Sequence, residues 1–250
     1  MIKKNRRKRL FFDIETSPNI GFFWQAGYEI DVDTHNIITE RAIICICWKW
    51  EGDKQIYSLK WDNNQNDKKM IQEFVKVMHD ADEVVGHNGD RFDIRWIRTR
   101  AILHKIDFPP KIISIDTLKN CRSLFKMNSN KLDYVAQYLG IGRKIDTGGF
   151  DTWRKIILDK DAQALKHMIE YCKNDVVILE KLWNRLNPYV NPKTHAGNYT
   201  NECPECGKVK LKISKTIKLA SGYTRHQMKC SDCGKYHTLT PSKLIKVKPI

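Results

Sequence analysis

Apolar positions first gather in short runs. Arg9–Glu15 (RLFFDIE) is an apolar run that ends in two carboxylates and reads as a buried strand. Ala42–Trp50 (AIICICWKW) reads as a second strand and Gln55–Leu59 as a third. The period then changes. Met70, Ile71, Phe74, Val75 and Met78 recur at helical spacing within Lys68–His79. Asp82–His87 is a short strand, Phe92–His104 a helix and Ile112–Thr117 another apolar run. Lys131–Leu139 predicts a short helix with Leu132, Val135, Ala136 and Leu139 on one face. The longest pattern is Asp161–Leu186, with a stripe through Leu165, Met168, Ile169, Cys172, Val176, Leu179, Leu182, Trp183 and Leu186. Strands giving way to helices predict a three-layer α/β domain.

The pattern breaks at Asn187–Asn198, where two prolines and one glycine interrupt a polar stretch, and beyond it the chain is lysine-rich. This places a domain boundary near residue 195. Two units are expected: residues 1–190 as the α/β domain and 196–250 as a small C-terminal module.

The chain has 250 residues, enough for one sizeable core and an appendage. No run approaches the roughly 20 apolar residues of a membrane span. The apolar segment after the basic N-terminus meets a charge at Asp13, too early for a signal-peptide core, so the cytoplasm is the expected compartment. The formal net charge of +15 points to a polyanionic partner, nucleic acid before others. Its placement adds to this: six of the first nine residues are Lys or Arg, and residues 201–250 carry 11 Lys and Arg against 3 Asp and Glu. Of the 8 cysteines, Cys45 and Cys47 lie in a strand-like run, while Cys121 and Cys172 stand isolated in helix-like segments. These four read as reduced core residues.

Asp13 and Glu15 lie two apart on a strand and therefore face the same way. Like charges so placed repel unless a cation joins them, and a divalent metal does that. Further on, VVGHNGDRFDIRWI (residues 84–97) runs from a strand through a polar turn into a helix, with Asp93 in its first turn. Asp90 is the better placed helix cap, which leaves Asp93 free to point elsewhere. In the long helix Tyr171 and Asp175 share a face one turn apart, beside the apolar stripe.

Together these elements resemble the tyrosine-type branch of the DEDD superfamily of 3′→5′ exonucleases. That branch has a DxE on its first strand, an asparagine followed by (F/Y)-D at a helix start, and a Y-x3-D on a late helix. Here they are Asp13 and Glu15; Asn88, Phe92 and Asp93; and Tyr171 and Asp175. The segment KLDYVAQYLGIGRKI (residues 131–145) also looks like the stretch between the second and third motifs. The histidine-type branch does not fit, because Glu170 stands five before Asp175. The likeness runs over about residues 8–187 and is strongest to the proofreading exonuclease domain of family B DNA polymerases. It implies an RNase H-like mixed sheet flanked by helices, and two Mg²⁺ or Mn²⁺ ions held by Asp13, Glu15, Asp93 and Asp175. Asp13 would bridge both ions, Tyr171 would orient the attacking water, and Asn88 and Phe92 would contact substrate. DNA is preferred over RNA as substrate. The alternatives are an RNA exonuclease of RNase D type and a non-catalytic nucleic-acid-binding protein.

The remaining cysteines form two CxxCG knuckles, Cys203/Cys206 and Cys230/Cys233, read as a Cys₄ site for one structural Zn²⁺. Glycine after each pair lets the backbone turn and aim amides at sulfur. Segments 208–217 and 222–229 are the expected ribbon strands, and His226 and His237 are read as surface or substrate-contact residues. The ribbon's partner is nucleic acid or, alternatively, a protein. All five candidate catalytic residues precede the polar stretch, so a chain ending near Pro188 is expected to keep its chemistry.

Overall fold

The structure is a computed structural model, and it describes residues 7–25, 27 and 32–241. In chain order the elements are β1 (Arg9–Thr16), β2 (Ile20–Gly21), β3 (Ile37–Thr39), β4 (Ile43–Trp50), β5 (Tyr57–Lys60), α1 (Lys68–His79), β6 (Glu83–Gly86), α2 (Asp93–Leu103), β7 (Ser114–Asp116) and α3 (Thr117–Leu124). Then come α4 (Leu132–Tyr138), α5 (Phe150–Ile157), α6 (Ala162–Leu186), β8 (Leu211–Lys218), β9 (Thr224–Cys230) and β10 (Tyr236–Leu239). The main sheet has the order β5-β4-β1-β6-β7. Its first three strands pair antiparallel, while β1–β6 and β6–β7 are parallel. The mixed sheet flanked by helices is the layered α/β domain that the periodicity predicted, with the RNase H-like arrangement that the resemblance implied. A second, antiparallel sheet of order β10-β9-β8 carries the C-terminal segment.

The central strand β1 sorts its residues by face. Leu10, Phe12 and Ile14 pack with α1 and α2, where Phe74 sits 5.6 Å from Phe12 ring to ring. Phe11 packs on the opposite face against α6. By the two-residue period, Arg9, Asp13 and Glu15 share that face with Phe11. The β1–β4 register shifts between Glu15 and Thr16, a bulge at the carboxylate end of the strand. Over this face lies α6, started by Asp161, whose carboxylate accepts from the amides of Gln163 (2.7 Å) and Ala164 (3.1 Å).

The long strands and helices fall where the periodicity put them, within a few residues. Four features were not foreseen: α3, α5, the β2–β3 pair and the third ribbon strand β10. In α3 only Thr117 and Cys121 are buried, and in α5 only Ile156, so neither has an apolar stripe long enough to read. His237 was read as a surface or contact residue, but it is buried, because it lies on the inner face of β10 opposite Met228.

The basic N-terminus and the C-terminal module meet in a buried ion network. Arg9 is 1% exposed, and its guanidinium bonds Glu83 (2.5 Å), Glu51 (2.5 Å) and Glu205 (2.8 Å). Arg7 also reaches Glu205 at 2.8 Å and donates to the carbonyl oxygens of Pro204 and Glu205. Burial by itself would raise the Glu205 carboxyl. The hydrogen bond and charge of Arg9, joined by Arg7, outweigh it and hold the group at about 2. Nearby, the ammonium of Lys235 is buried and donates to both oxygens of Asn187 (2.5 and 2.7 Å) and to the Val190 carbonyl (2.5 Å).

Two expectations change as a result. Arg7 and Arg9 were counted toward a surface that attracts nucleic acid, whereas both are consumed internally. A chain ending near Pro188 would strip Arg9 of Glu205 and Glu83 of Thr194, whose hydroxyl donates to it at 2.6 Å. Such a chain leaves buried charges short of partners, so the C-terminal module is not freely removable.

Removing one partner of a buried ion cluster typically costs about 3–5 kcal/mol. Glu205→Ala is therefore expected to lower unfolding stability by that order while leaving any metal held by the four C-terminal cysteines in place, since Glu205 supplies no sulfur ligand. Denaturant melts and metal content measured on the same preparation check this. An unchanged midpoint would contradict the clamp.

Candidate active site

Asp13 and Glu15 project from the bulged end of β1, and Asp175 comes from the middle of α6. One oxygen from each lies within 4.8 Å of the others. Asp93 enters from the first turn of α2, and its Oδ1 accepts the Ile14 amide at 3.2 Å, which fixes it behind the β1 carboxylates. Asp13 and Glu15 are half-buried, while Asp93 (3% exposed) and Asp175 (1%) are buried.

Crowding of this kind sets the electrostatics. Burial first, then the charges of Asp93, Asp175 and Glu15, push the Asp13 carboxyl well above its ordinary range. Burial and then Asp175 raise Glu15 to about 8. Burial raises Asp93 to about 7, against the pull of its backbone hydrogen bonds. Asp175 is also raised by burial, although Lys144 opposes it. Among the described residues, the buried Asp175 Oδ1 finds no hydrogen-bond partner. Three hard oxygen donors that repel one another, one with an unused buried lone pair, suit a hard divalent cation such as Mg²⁺ or Mn²⁺.

Lys144 joins the cluster, which no local pattern in the sequence signals. Its Nζ bonds Asp175 Oδ2 and donates to the Tyr171 hydroxyl oxygen at 2.8 Å. Burial would lower this ammonium, but the Asp175 charge and hydrogen bond prevail, so it stays protonated. One lysine among 44 Lys and Arg carries no signal of its own. Its position inside the 131–145 segment was the only hint available.

Asp116 was also missed, and it shapes the turn before α2. It caps α3 by accepting from the Leu118 amide at 3.0 Å and also accepts the Asn88 amide at 3.0 Å. Asn88 holds φ at 70°, a conformation asparagine tolerates. A Cβ on Gly86 would lie 3.0 Å from the Gly89 Cα, tighter than an ordinary contact, so a larger residue there would push the turn apart by a few tenths of an ångström. Asp90 is not the helix cap: it bonds Ser114 Oγ and Lys119 Nζ instead, and α2 begins without a side-chain cap. Phe92 lines an open groove of about 470 Å³ with Thr16, Arg41, Phe150 and Trp153, continuous with the end of β1.

The four knuckle cysteines also converge, with all sulfurs within 4.8 Å. Cys203 and Cys233 sulfurs are 3.6 Å apart, and those of Cys206 and Cys230 are 3.7 Å apart. Gly207 (φ 69°) and Gly234 (φ 73°) make the expected left-handed turns. Amides of residues 205 and 206 address Cys203, and those of 232 and 233 address Cys230. Four convergent thiols with amide support form a donor set suited to tetrahedral zinc.

Fold and acidic cleft together define an RNase H-like architecture with a carboxylate cluster at one end of its central strand. The chain belongs to the RNase_H superfamily, whose pattern matches residues 10–187. Among solved structures, 56 chains match. One of these is the family B DNA polymerase from the hyperthermophilic archaeon Pyrobaculum calidifontis, 20% identical, with a TM-score of 0.54. The match covers 73% of this chain and 25% of the polymerase, so the chain spans about a quarter of that protein's length. A comparison with curated proteins finds no match. Among the described residues no helix is long and apolar enough to cross a membrane.

Glu15, held near 8, binds its proton more tightly folded than unfolded, where a glutamate titrates near 4.5. Its ionisation therefore costs stability as pH rises through that window. In protein freed of Mg²⁺ and Mn²⁺, Glu15→Gln removes this cost. Its melting midpoint should match wild type near about pH 5 and rise above it toward about pH 8, and Mn²⁺ should shrink the gap. A gap independent of both pH and ion would contradict the carboxylate cluster.

Proposed function

We propose that this chain is a metal-dependent 3′→5′ exonuclease of the tyrosine-type DEDD class, acting on single-stranded or frayed 3′ ends of DNA. Residues 1–190 form the catalytic unit and 196–250 a Cys₄ zinc ribbon. One observation carries the reading. Carboxylates separated by more than 150 residues in sequence, Asp13 and Glu15 on one side and Asp175 on the other, converge beside Asp93 and Tyr171. Membership of the RNase_H superfamily supports it. The fold shared with a family B DNA polymerase supports it too, the matched quarter being taken as that enzyme's proofreading part.

Asp13, Glu15, Asp93 and Asp175 hold the ions, with Asp13 central. When bound, two divalent ions supply an activated water and neutralise charge on the attacking and leaving oxygens. Tyr171 is raised to about 12 by burial and then by Asp175, so it remains a phenol and does not serve as general base. Lys144 donates to the phenol oxygen, which leaves the Tyr171 hydrogen free to orient the attacking water. Lys144 also brings a fixed positive charge to the cleft, beside the path of the scissile phosphate. Phe92, in the groove continuous with β1, is placed to stack on a terminal base, and Asn88 lies at the turn beside it. On the ribbon, Lys212, Lys215, Lys218, Arg225 and Lys229 are exposed together with Tyr223, which suits a nucleic-acid backbone.

The decisive assay incubates 5′-labelled single- and double-stranded DNA and RNA with Mg²⁺ or Mn²⁺. Wild type should yield a ladder shortening from the 3′ end with DNA preferred, and Asp13→Ala should yield none while keeping its fold. Equal activity in Asp13→Ala would remove the catalytic assignment, and a ladder on RNA alone would reassign the substrate.

Tyr171→Phe keeps the ring and loses only the hydroxyl. Turnover should fall by about 10²–10⁴-fold, the usual contribution of a positioned proton-bearing group, with KM nearly unchanged. Steady-state kinetics separate the two. A raised KM at normal turnover would contradict the orienting role.

A further inference from the structure

Directly behind the carboxylates lies a second convergence. Cys45 and Cys47 are two apart on β4, so their side chains share a face. Antiparallel register sets them opposite Glu15 and Asp13. Cys172 reaches them from α6, one residue after Tyr171. The three sulfurs lie within 4.8 Å of one another, and all three residues are fully buried. Cys172 was read from sequence as isolated, but it is not.

We propose that Cys45, Cys47 and Cys172 form a trithiol pocket that captures a soft trivalent ion of the arsenite type. Three-coordinate trivalent arsenic is pyramidal, so bonds of about 2.3 Å, the length of zinc–thiolate bonds, would set the sulfurs roughly 3.5 Å apart, inside the 4.8 Å that bounds them here. No fourth His, Cys, Asp or Glu joins this group among the described residues, so it suits a three-coordinate thiophilic centre rather than tetrahedral zinc. Charge makes the further selection. Three thiolates around a monovalent or divalent ion would leave net negative charge beside Asp13 and Glu15, which burial penalises. Trivalent arsenic closes the site neutral. Three As–O bonds of arsenous acid break and three As–S bonds form. The three thiol protons leave with the hydroxyls as three waters, and nothing is oxidised or reduced. A Cys45–Cys47 disulfide fits less well, because residues two apart on a strand have Cα atoms about 6.6–6.8 Å apart, at the limit of disulfide reach.

The route in is the cleft itself. Cys172 Sγ donates to the backbone oxygen of Asp13 at 3.4 Å and lies 3.6 Å from its Oδ2, and Asp13 is half-exposed. Capture takes that S–H away from Asp13, so occupancy is coupled to the carboxylate cluster.

Zinc-loaded, reduced protein titrated with arsenite tests the proposal, with arsenic and zinc per chain read by elemental analysis and intact mass. Wild type should gain one arsenic per chain with its zinc retained. Cys45→Ala and Cys47→Ser, each checked for native zinc content and circular dichroism, should lose that uptake at the same arsenite concentration. Either folded variant suffices, so a misfolded one leaves the test intact. Uptake unchanged in a folded variant, or one zinc released per arsenic bound, would overturn the proposal by placing the arsenic elsewhere or in the ribbon. These readouts do not depend on nuclease activity, so they stand or fall apart from the exonuclease reading.

Discussion

Negative charge packed out of water sets the terms for this molecule. Asp13, Glu15, Asp93 and Asp175 gather at one end of the central strand; burial raises every one of them, and repulsion from the other carboxylates of the cluster adds to it at Asp13 and Glu15. Such a cluster survives only if the scaffold fixes it and something positive stands close. The scaffold does so through three elements of different origin. A bulged strand end carries two of the groups, a backbone amide of that strand holds the third, and the longest helix brings the fourth. Lys144 supplies fixed positive charge and ties Asp175 to Tyr171. The orphaned Asp175 oxygen marks where a further cation would complete the set.

The other end of the same strand solves the opposite problem. Arg9 is buried with Arg7 among Glu51, Glu83 and Glu205 and packs over the Trp183 ring at 4.8 Å. Glu205 sits between the cysteines of the first knuckle, so the proposed zinc site and the strand that carries Asp13 share one ion network. A buried network of this kind specifies one arrangement more than it adds net stability, because each charge left unpaired is costly. The ribbon is thereby joined to the main sheet through a partner set that cannot be exchanged, and Lys235, bonded to Asn187 and Val190, closes the same seam.

Much of this was legible in the residues. The apolar run in RLFFDIE set the strand, and the two-residue period of a strand then put Asp13 and Glu15 on one face. The α6 stripe from Met168 to Leu186 was readable for the same kind of reason, with a longer period. The knuckle spacing was equally plain, since CxxCG confines two thiols to one turn. Asp90 was misjudged because cap preference is local, whereas Ser114 and Lys119 reach it from elements that sequence does not place.

What the sequence determined by itself was whatever local geometry fixes: the strands and helices with strong periods, the pairing of Asp13 with Glu15 and of Tyr171 with Asp175, and the two knuckles. What only the tertiary structure decided was every meeting between distant segments. Lys144 comes to Asp175, Arg9 to Glu205, and Cys172 to Cys45 and Cys47. A lone lysine, arginine or cysteine carries no period, and its role depends on which buried group it must neutralise or touch. That is settled by the crossing of α6 over β1 and β4 and by the docking of the ribbon on the N-terminal arginines.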